Sequence, residues 1–111
     1  MNIPNTCTDY RSRQVTVPQE VIEHIRTRHP EMEPHLGKLC EVLRNPDFVY
    51  FRERTNSYLF YKLRVLSGRI ANNYMVVIVQ YNRDDEGLLK TAYSTGRPAY
   101  GDSLVYATRG R

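Results

Sequence analysis

Proton transfer at neutral pH calls for a side chain that ionises there, and this chain carries three candidates, His24, His29 and His35, all in its first third. Histidine is the commonest general acid or base for that reason. A second grouping lies in the run Tyr58-Leu-Phe-Tyr-Lys-Leu-Arg-Val65. Two-residue alternation there puts Tyr58, Phe60, Lys62 and Arg64 on one side of a strand, and Leu59, Tyr61, Leu63 and Val65 on the other. Cations interleaved with aromatic rings suit a phosphate backbone and its stacked bases. A solvated sheet face, with long side chains covering apolar surface, explains the same pattern equally well. A third grouping is Thr91, Tyr93 and Thr95, which share a face by the same alternation. Their hydroxyls can hydrogen-bond phosphate oxygens, and the phenol can stack on a base or give up a proton.

Each histidine also has a plainer reading. His29 extends the Val21/Ile22/Ile25 stripe and sits just before Pro30, where a buried or helix-capping imidazole is as natural as a catalytic one. His24 lies about 140° from His29 at roughly 100° per residue, so a regular helix cannot turn both into one site. His35, next to Pro34 at a helix start, is expected to be exposed. Glu31 and Glu41 read as solvated helix carboxylates.

Composition narrows the setting. Sixteen Lys and Arg against twelve Asp and Glu give a net charge of +4, which fits an anionic partner. The cations are spread along the chain rather than gathered in a tail. Nine tyrosines against three phenylalanines and no tryptophan favour half-wet surfaces. A hydrophobic fraction of 41% suffices for a sheet covered on one face, and reads as too little for one covered on both. Cys7 and Cys40 have no CxxC spacing and no accompanying histidine pattern, so a zinc site is not expected, and no cofactor is expected either. A disulfide between them stays open, with a buried Cys40 thiol the simpler reading. The opening MNIPNTCTDYRSRQ lacks an apolar segment, and the longest apolar run, Met75–Val79, is too short to span a bilayer. The expectation is a reduced, cytoplasmic protein without a membrane partner.

The elements that must position these side chains follow from periodicity. One domain over 1–111 is expected, with 1–13 a loose lead-in and Gln14–Val17 a short strand or extended arm. An amphipathic helix spans 18–29, entered through Pro18 and stopped by Pro30. Pro34 starts a second helix with the stripe Leu36, Leu39, Cys40 and Leu43, ended by Asn45-Pro46-Asp47. The period then changes, and 48–54, 58–66, 74–81 and 88–95 read as strands joined by short links, hence antiparallel. Residues 104–107 add a brief edge strand. The fold class is therefore α+β, two N-terminal helices packed on one face of a four- to five-stranded antiparallel sheet.

Several segments carry a likeness. "HIRTRHPEM", "LCEVLRNPDFVYF", "SYLFYKLRV", and "MVVIVQY" leading to "LLKTAYSTG" resemble the barnase–EndoU–colicin–RelE group of small RNases, above all its phage- and mobile-element-associated branch. The likeness covers about residues 20 to 96; the order of the segments carries it rather than any one motif. It implies helices on one sheet face, RNA on the other, and cleavage without a metal. It also maps the family's helical histidine onto His29, its strand cation onto Lys62, and its final-strand polar pair onto Thr91 and Tyr93. One departure stands out: barnase-like members have a histidine near the C-terminus, and here none follows His35. Either an early histidine does that work or a RelE-like set of Lys, Arg and Tyr replaces it.

Such cleavage needs a base for the 2′-hydroxyl proton, an acid for the leaving 5′-oxygen and cations for the crowded phosphorane. The expected catalytic set is His29, Lys62 and Tyr93, with Arg28, Tyr58, Phe60, Arg64, Thr91 and Thr95 binding substrate. Lys62 falls on the face assigned away from the helices, whereas His29 sits on a helix. His29 is therefore expected to come in from the rim, over a floor of Lys62, Tyr93 and Thr95. The leading expectation is a toxin-type endoribonuclease restrained by a cognate inhibitor. A catalytically silent relative that binds RNA or protein is the alternative.

Overall fold

The computed structural model describes residues 3–108. Pro18, with extended backbone, leads into helix α1 (Gln19–Arg28), whose Glu20 in the first turn and Arg26 and Arg28 in the last complement the helix dipole. Its buried face is Ile22 and Ile25. The helix stops at His29, which leaves helical dihedrals while its N–H still donates to the Ile25 carbonyl at 2.7 Å. Pro30 and Pro34 then break the ladder of helical hydrogen bonds, because neither offers an N–H. The chain answers with a 3-10 helix, Pro30–Lys38, and resumes α-helical geometry only in α2 (Leu39–Arg44). The second helix is therefore shorter than the apolar stripe suggests. His35 is buried rather than exposed, and burial, helped by Lys38, lowers its pKa.

Among the described residues seven strands form one sheet: β1 (Thr6–Thr8), β2 (Gln14–Thr16), β3 (Phe48–Arg52), β4 (Ser57–Lys62), β5 (Tyr74–Tyr81), β6 (Gly87–Thr95) and β7 (Ser103–Ala107), in the order β1-β2-β6-β5-β4-β3-β7. The sheet is mixed, since β2 pairs with β6 in parallel through Val15 and Gly87. Both points correct the expected four- to five-stranded antiparallel sheet. The added strands lie in what reads as a loose lead-in. Each has three residues and buries only its central one, Cys7 or Val15, so neither displays a period. The turn between them is organised by the buried carboxylate of Asp9. It accepts the backbone N–H groups of Arg11 and Arg13, the Arg13 Nε–H and, at 2.6 Å, the Tyr81 hydroxyl. At the parallel junction a side chain on residue 87 would have no room, for a Cβ there would lie 2.9 Å from both Tyr81 and Val15. Cys7 and Cys40 are joined in a disulfide that ties β1 to α2, the alternative that the sequence leaves open, in place of the simpler buried Cys40 thiol and of the reduced chain expected. Among the described residues no helix is long and apolar enough to cross a membrane.

The helices pack on one sheet face, where Phe60, Met75, Val77, Val79, Leu89 and Ala92 meet Ile22, Ile25, Leu36, Leu39 and Leu43. The opposite face has a smaller core of its own: Leu59, Tyr61 and Val76, packed with Phe48, Tyr50, Tyr74, Ile78 and Tyr93. This inverts the facing expected for β4. Phe60 is in the main core and Tyr58 beside it, whereas Leu59 and Tyr61 point away from the helices. The apolar content does cover both faces, because tyrosines supply much of the second layer.

Candidate functional site

The face away from the helices gathers the polar groups suited to chemistry. Tyr93 stands there by register, opposite Val76, which in turn lies opposite Tyr61. Alternation along β3 puts Arg52 on the same face as Phe48 and Tyr50. His29 arrives from the other layer. Past residue 88, β6 pairs only with β5, leaving its outer edge to α1, which packs against it. The chain turns at Pro30, and the His29 ring comes to 5.6 Å from the Tyr93 ring, centroid to centroid.

Arg52 is fixed by Asp102, from the segment between β6 and β7. Its Nε and an Nη donate to the two carboxylate oxygens at 3.0 and 2.9 Å, with Arg52 19% and Asp102 7% exposed. This fork-to-fork geometry holds the guanidinium still. Ala99, in the same segment, donates its N–H to the Tyr61 hydroxyl at 3.3 Å. Burial raises the pKa of Tyr93, and the Arg52 guanidinium only partly offsets it, so the phenol stays protonated well past neutrality. Tyr61 is raised by burial in the same way. Thr91 lies two residues from Tyr93 on this face, with its hydroxyl oxygen enclosed and lacking a hydrogen-bond partner among the described residues. Thr95 donates to the Arg97 carbonyl at 3.1 Å.

The other residues singled out from sequence lie elsewhere. Lys62 is opposite Met75, on the helix side, and its ammonium donates to the Asn45 carbonyl at 2.7 Å, just past the C-terminal end of α2. It shares no floor with Tyr93. Arg64 lies beyond the end of β4 with a positive φ of 67°, in an open cleft with Asp47, Phe48 and Thr108. Phe60 is wholly buried and Tyr58 packs against Tyr81 and Phe51, also on the helix side. Arg28 is exposed in the last turn of α1. Of the expected set, then, the fold brings together His29, Tyr93 and Thr91, with Thr95 at the margin. It adds Arg52, Asp102 and Tyr61, which the sequence reading passed over. Arg52 had a usable signal in the alternation Phe48, Tyr50, Arg52; Asp102, in an irregular segment, had none.

A protein-family model described as phage-Barnase-EndoU-ColicinE5/D-RelE like nuclease2 matches residues 1–109. The chain belongs to this nuclease family. The match agrees with the likeness seen in the segment order and extends it to the N-terminal hairpin, which the segments did not include. No curated protein and no solved structure matches the chain. In this member of the family the face away from the helices presents an imidazole, a phenol that is protonated at neutral pH and a fixed guanidinium, which are group types that phosphodiester cleavage employs. Among the described residues no group of three or more His, Cys, Asp and Glu side chains is placed to hold a metal ion.

Proposed function

We propose that this member of the family is an endoribonuclease that cleaves RNA by attack of the 2′-hydroxyl, without a metal, on the face away from the helices. The observation that carries this reading is the meeting of His29 and Tyr93 on the face that also holds Arg52. His29 takes the 2′-hydroxyl proton, and the freed oxygen attacks the adjacent phosphorus. Arg52 offsets the charge that builds on the phosphorane oxygens. Tyr93, a phenol that carries its proton at neutral pH, gives that proton to the departing 5′-oxygen. The products are a 2′,3′-cyclic phosphate and a free 5′-hydroxyl. Thr91 and Thr95 border the reacting groups, and Arg28, at the mouth beside His29, meets the RNA backbone. Arg52 takes the role that Lys62 has in the sequence reading, since Lys62 faces the other way.

In biological terms we read the protein as a toxin-type nuclease held in check by a cognate inhibitor protein. Acting on cellular RNA places its work in a cytoplasm, where the Cys7–Cys40 bond meets reductant. The test is RNA incubated with purified protein in excess chelator, followed by analysis of the fragment ends. Fragments with 2′,3′-cyclic phosphate ends are expected. Salt-sensitive binding without cleavage would instead make the chain a silent relative, and loss of activity in chelator would refute the metal-free scheme.

A further inference from the structure

Between Ala99 and Asp102, both anchored, Tyr100 has no counterpart to pack on. Its relative exposure is 105%, the highest of the exposed large hydrophobic residues. The anchors are the Ala99 N–H on the Tyr61 hydroxyl on one side and the Asp102 carboxylate on Arg52 on the other. An aromatic ring held out into water from a segment pinned at both ends gives the fold no burial in return. It also forms a wall shared by two open clefts. One, about 390 Å³, holds Arg52 and Arg54; the other, about 520 Å³, holds Arg97 and Thr95. Arg54 and Arg97 are exposed, and neither guanidinium has an acidic partner among the described residues. Among the described residues, Glu53 is the only acid in either lining apart from Asp102, which is already paired.

We infer that Tyr100 is a stacking platform for an unpaired nucleobase next to the scissile bond, with Arg54 and Arg97 taking the phosphates on its two sides. The substrate is accordingly single-stranded RNA. Every unpaired base offers a face to an aromatic ring, whereas in a duplex those faces are occupied by neighbouring bases. This subsite rests on the ribonuclease reading of the adjoining face and deepens it by naming the substrate class.

A 2′-O-methyl RNA strand lacks the attacking hydroxyl, so binding can be measured without cleavage. Fluorescence anisotropy would compare the strand alone with the strand annealed to its complement. The wild type is expected to prefer the single strand. Tyr100→Ala should weaken single-strand binding by about tenfold or more, the usual worth of one base–aromatic stack. Tyr100→Phe should retain it, and duplex binding should not respond to either change. Arg54→Gln and Arg97→Gln should each make the salt dependence shallower, as expected for one lost phosphate contact. Tyr100, Arg54 and Arg97 are all exposed, so these variants are expected to keep the fold, which circular dichroism checks. Equal affinity for strand and duplex, or Tyr100→Ala binding the strand like the wild type, would overturn the subsite alone. Failure of the wild type to bind either RNA would overturn the ribonuclease reading and the subsite with it.

Discussion

Truncating Arg52 to alanine should cost the protein twice, and the two costs can be separated. The pair with Asp102 has two short hydrogen bonds, and the carboxylate is only 7% exposed. Removing one partner of a buried pair costs about 3–5 kcal/mol, because the other charge is left without compensation. Arg52 is 19% exposed, so water reaches part of the pair and the loss belongs near the lower end, about 3 kcal/mol. Truncating both residues leaves no stranded charge and should return a large part of that loss. Catalysis should behave differently. A fixed group that stabilises charge only in the transition state is worth roughly 10²–10³ in rate. Arg52→Ala and Arg52→Ala/Asp102→Ala should both lose that factor, whatever their stability. Urea unfolding gives the first quantity and single-turnover cleavage of RNA by the folded proteins gives the second. Recovery of the rate in the double variant would show that the loss in Arg52→Ala came from the stranded Asp102 carboxylate and not from a missing guanidinium in the chemistry. A wild-type rate in Arg52→Ala would remove it from the chemistry.

Three further outcomes follow from the same geometry. Lys62→Ala should lose about 1 kcal/mol with its bond to the Asn45 carbonyl and leave cleavage essentially unchanged; a rate loss comparable to that of Arg52→Ala would restore Lys62 to the site. Reducing the Cys7–Cys40 bond, which closes a sequence separation of 33, should lower stability by roughly 3–4 kcal/mol on chain-entropy grounds, seen as a lower urea midpoint with thiol present; an unchanged midpoint would mean that the bond constrains the unfolded chain very little. Burial raises Tyr93 above the ordinary phenol value of 10.0, so its neutral form favours the fold. That contribution is complete below pH 10 and is lost as pH climbs through the folded-state value. The tyrosinate absorbance step that Tyr93→Phe deletes should therefore fall above pH 10, and a step at or below 10 would contradict the burial argument.

How much of this was legible in the sequence varies with the length of each pattern. The eight residues of β5 coincide with the expected span because a short unbroken apolar, β-branched run reads as a buried strand, and α1 lies within one residue of its reading at each end because it is long enough for a helical period to show. The three-residue strands β1 and β2 are held by tertiary groups, the Asp9 carboxylate and the Cys7–Cys40 bond, and three residues carry no period. The parallel pairing at Gly87 is a consequence of their docking and was equally hidden. Facing in β4 was misread because the run from Leu59 to Tyr61 is apolar or aromatic at every position, as a strand covered on both faces must be. Rim entry for His29 was expected from a facing of Lys62 that the structure inverts; the position of the imidazole beside Tyr93 follows instead from the end of α1 at Pro30. Its neighbours in the site were less legible, since Arg52 and Asp102 are separated by 50 residues and meet only through the fold.

The central claim is that His29 and Tyr93 form one proton-transfer pair on the sheet face away from the helices. The most direct test is the single-turnover rate of RNA cleavage, in chelator, for His29→Ala, Tyr93→Phe and the double variant, each confirmed as folded by circular dichroism. Each single change is expected to lower the rate by about 10²–10⁴-fold. The double variant should be little worse than the poorer single one, because two residues acting as a unit do not add. Wild-type rates in both single variants would contradict the account.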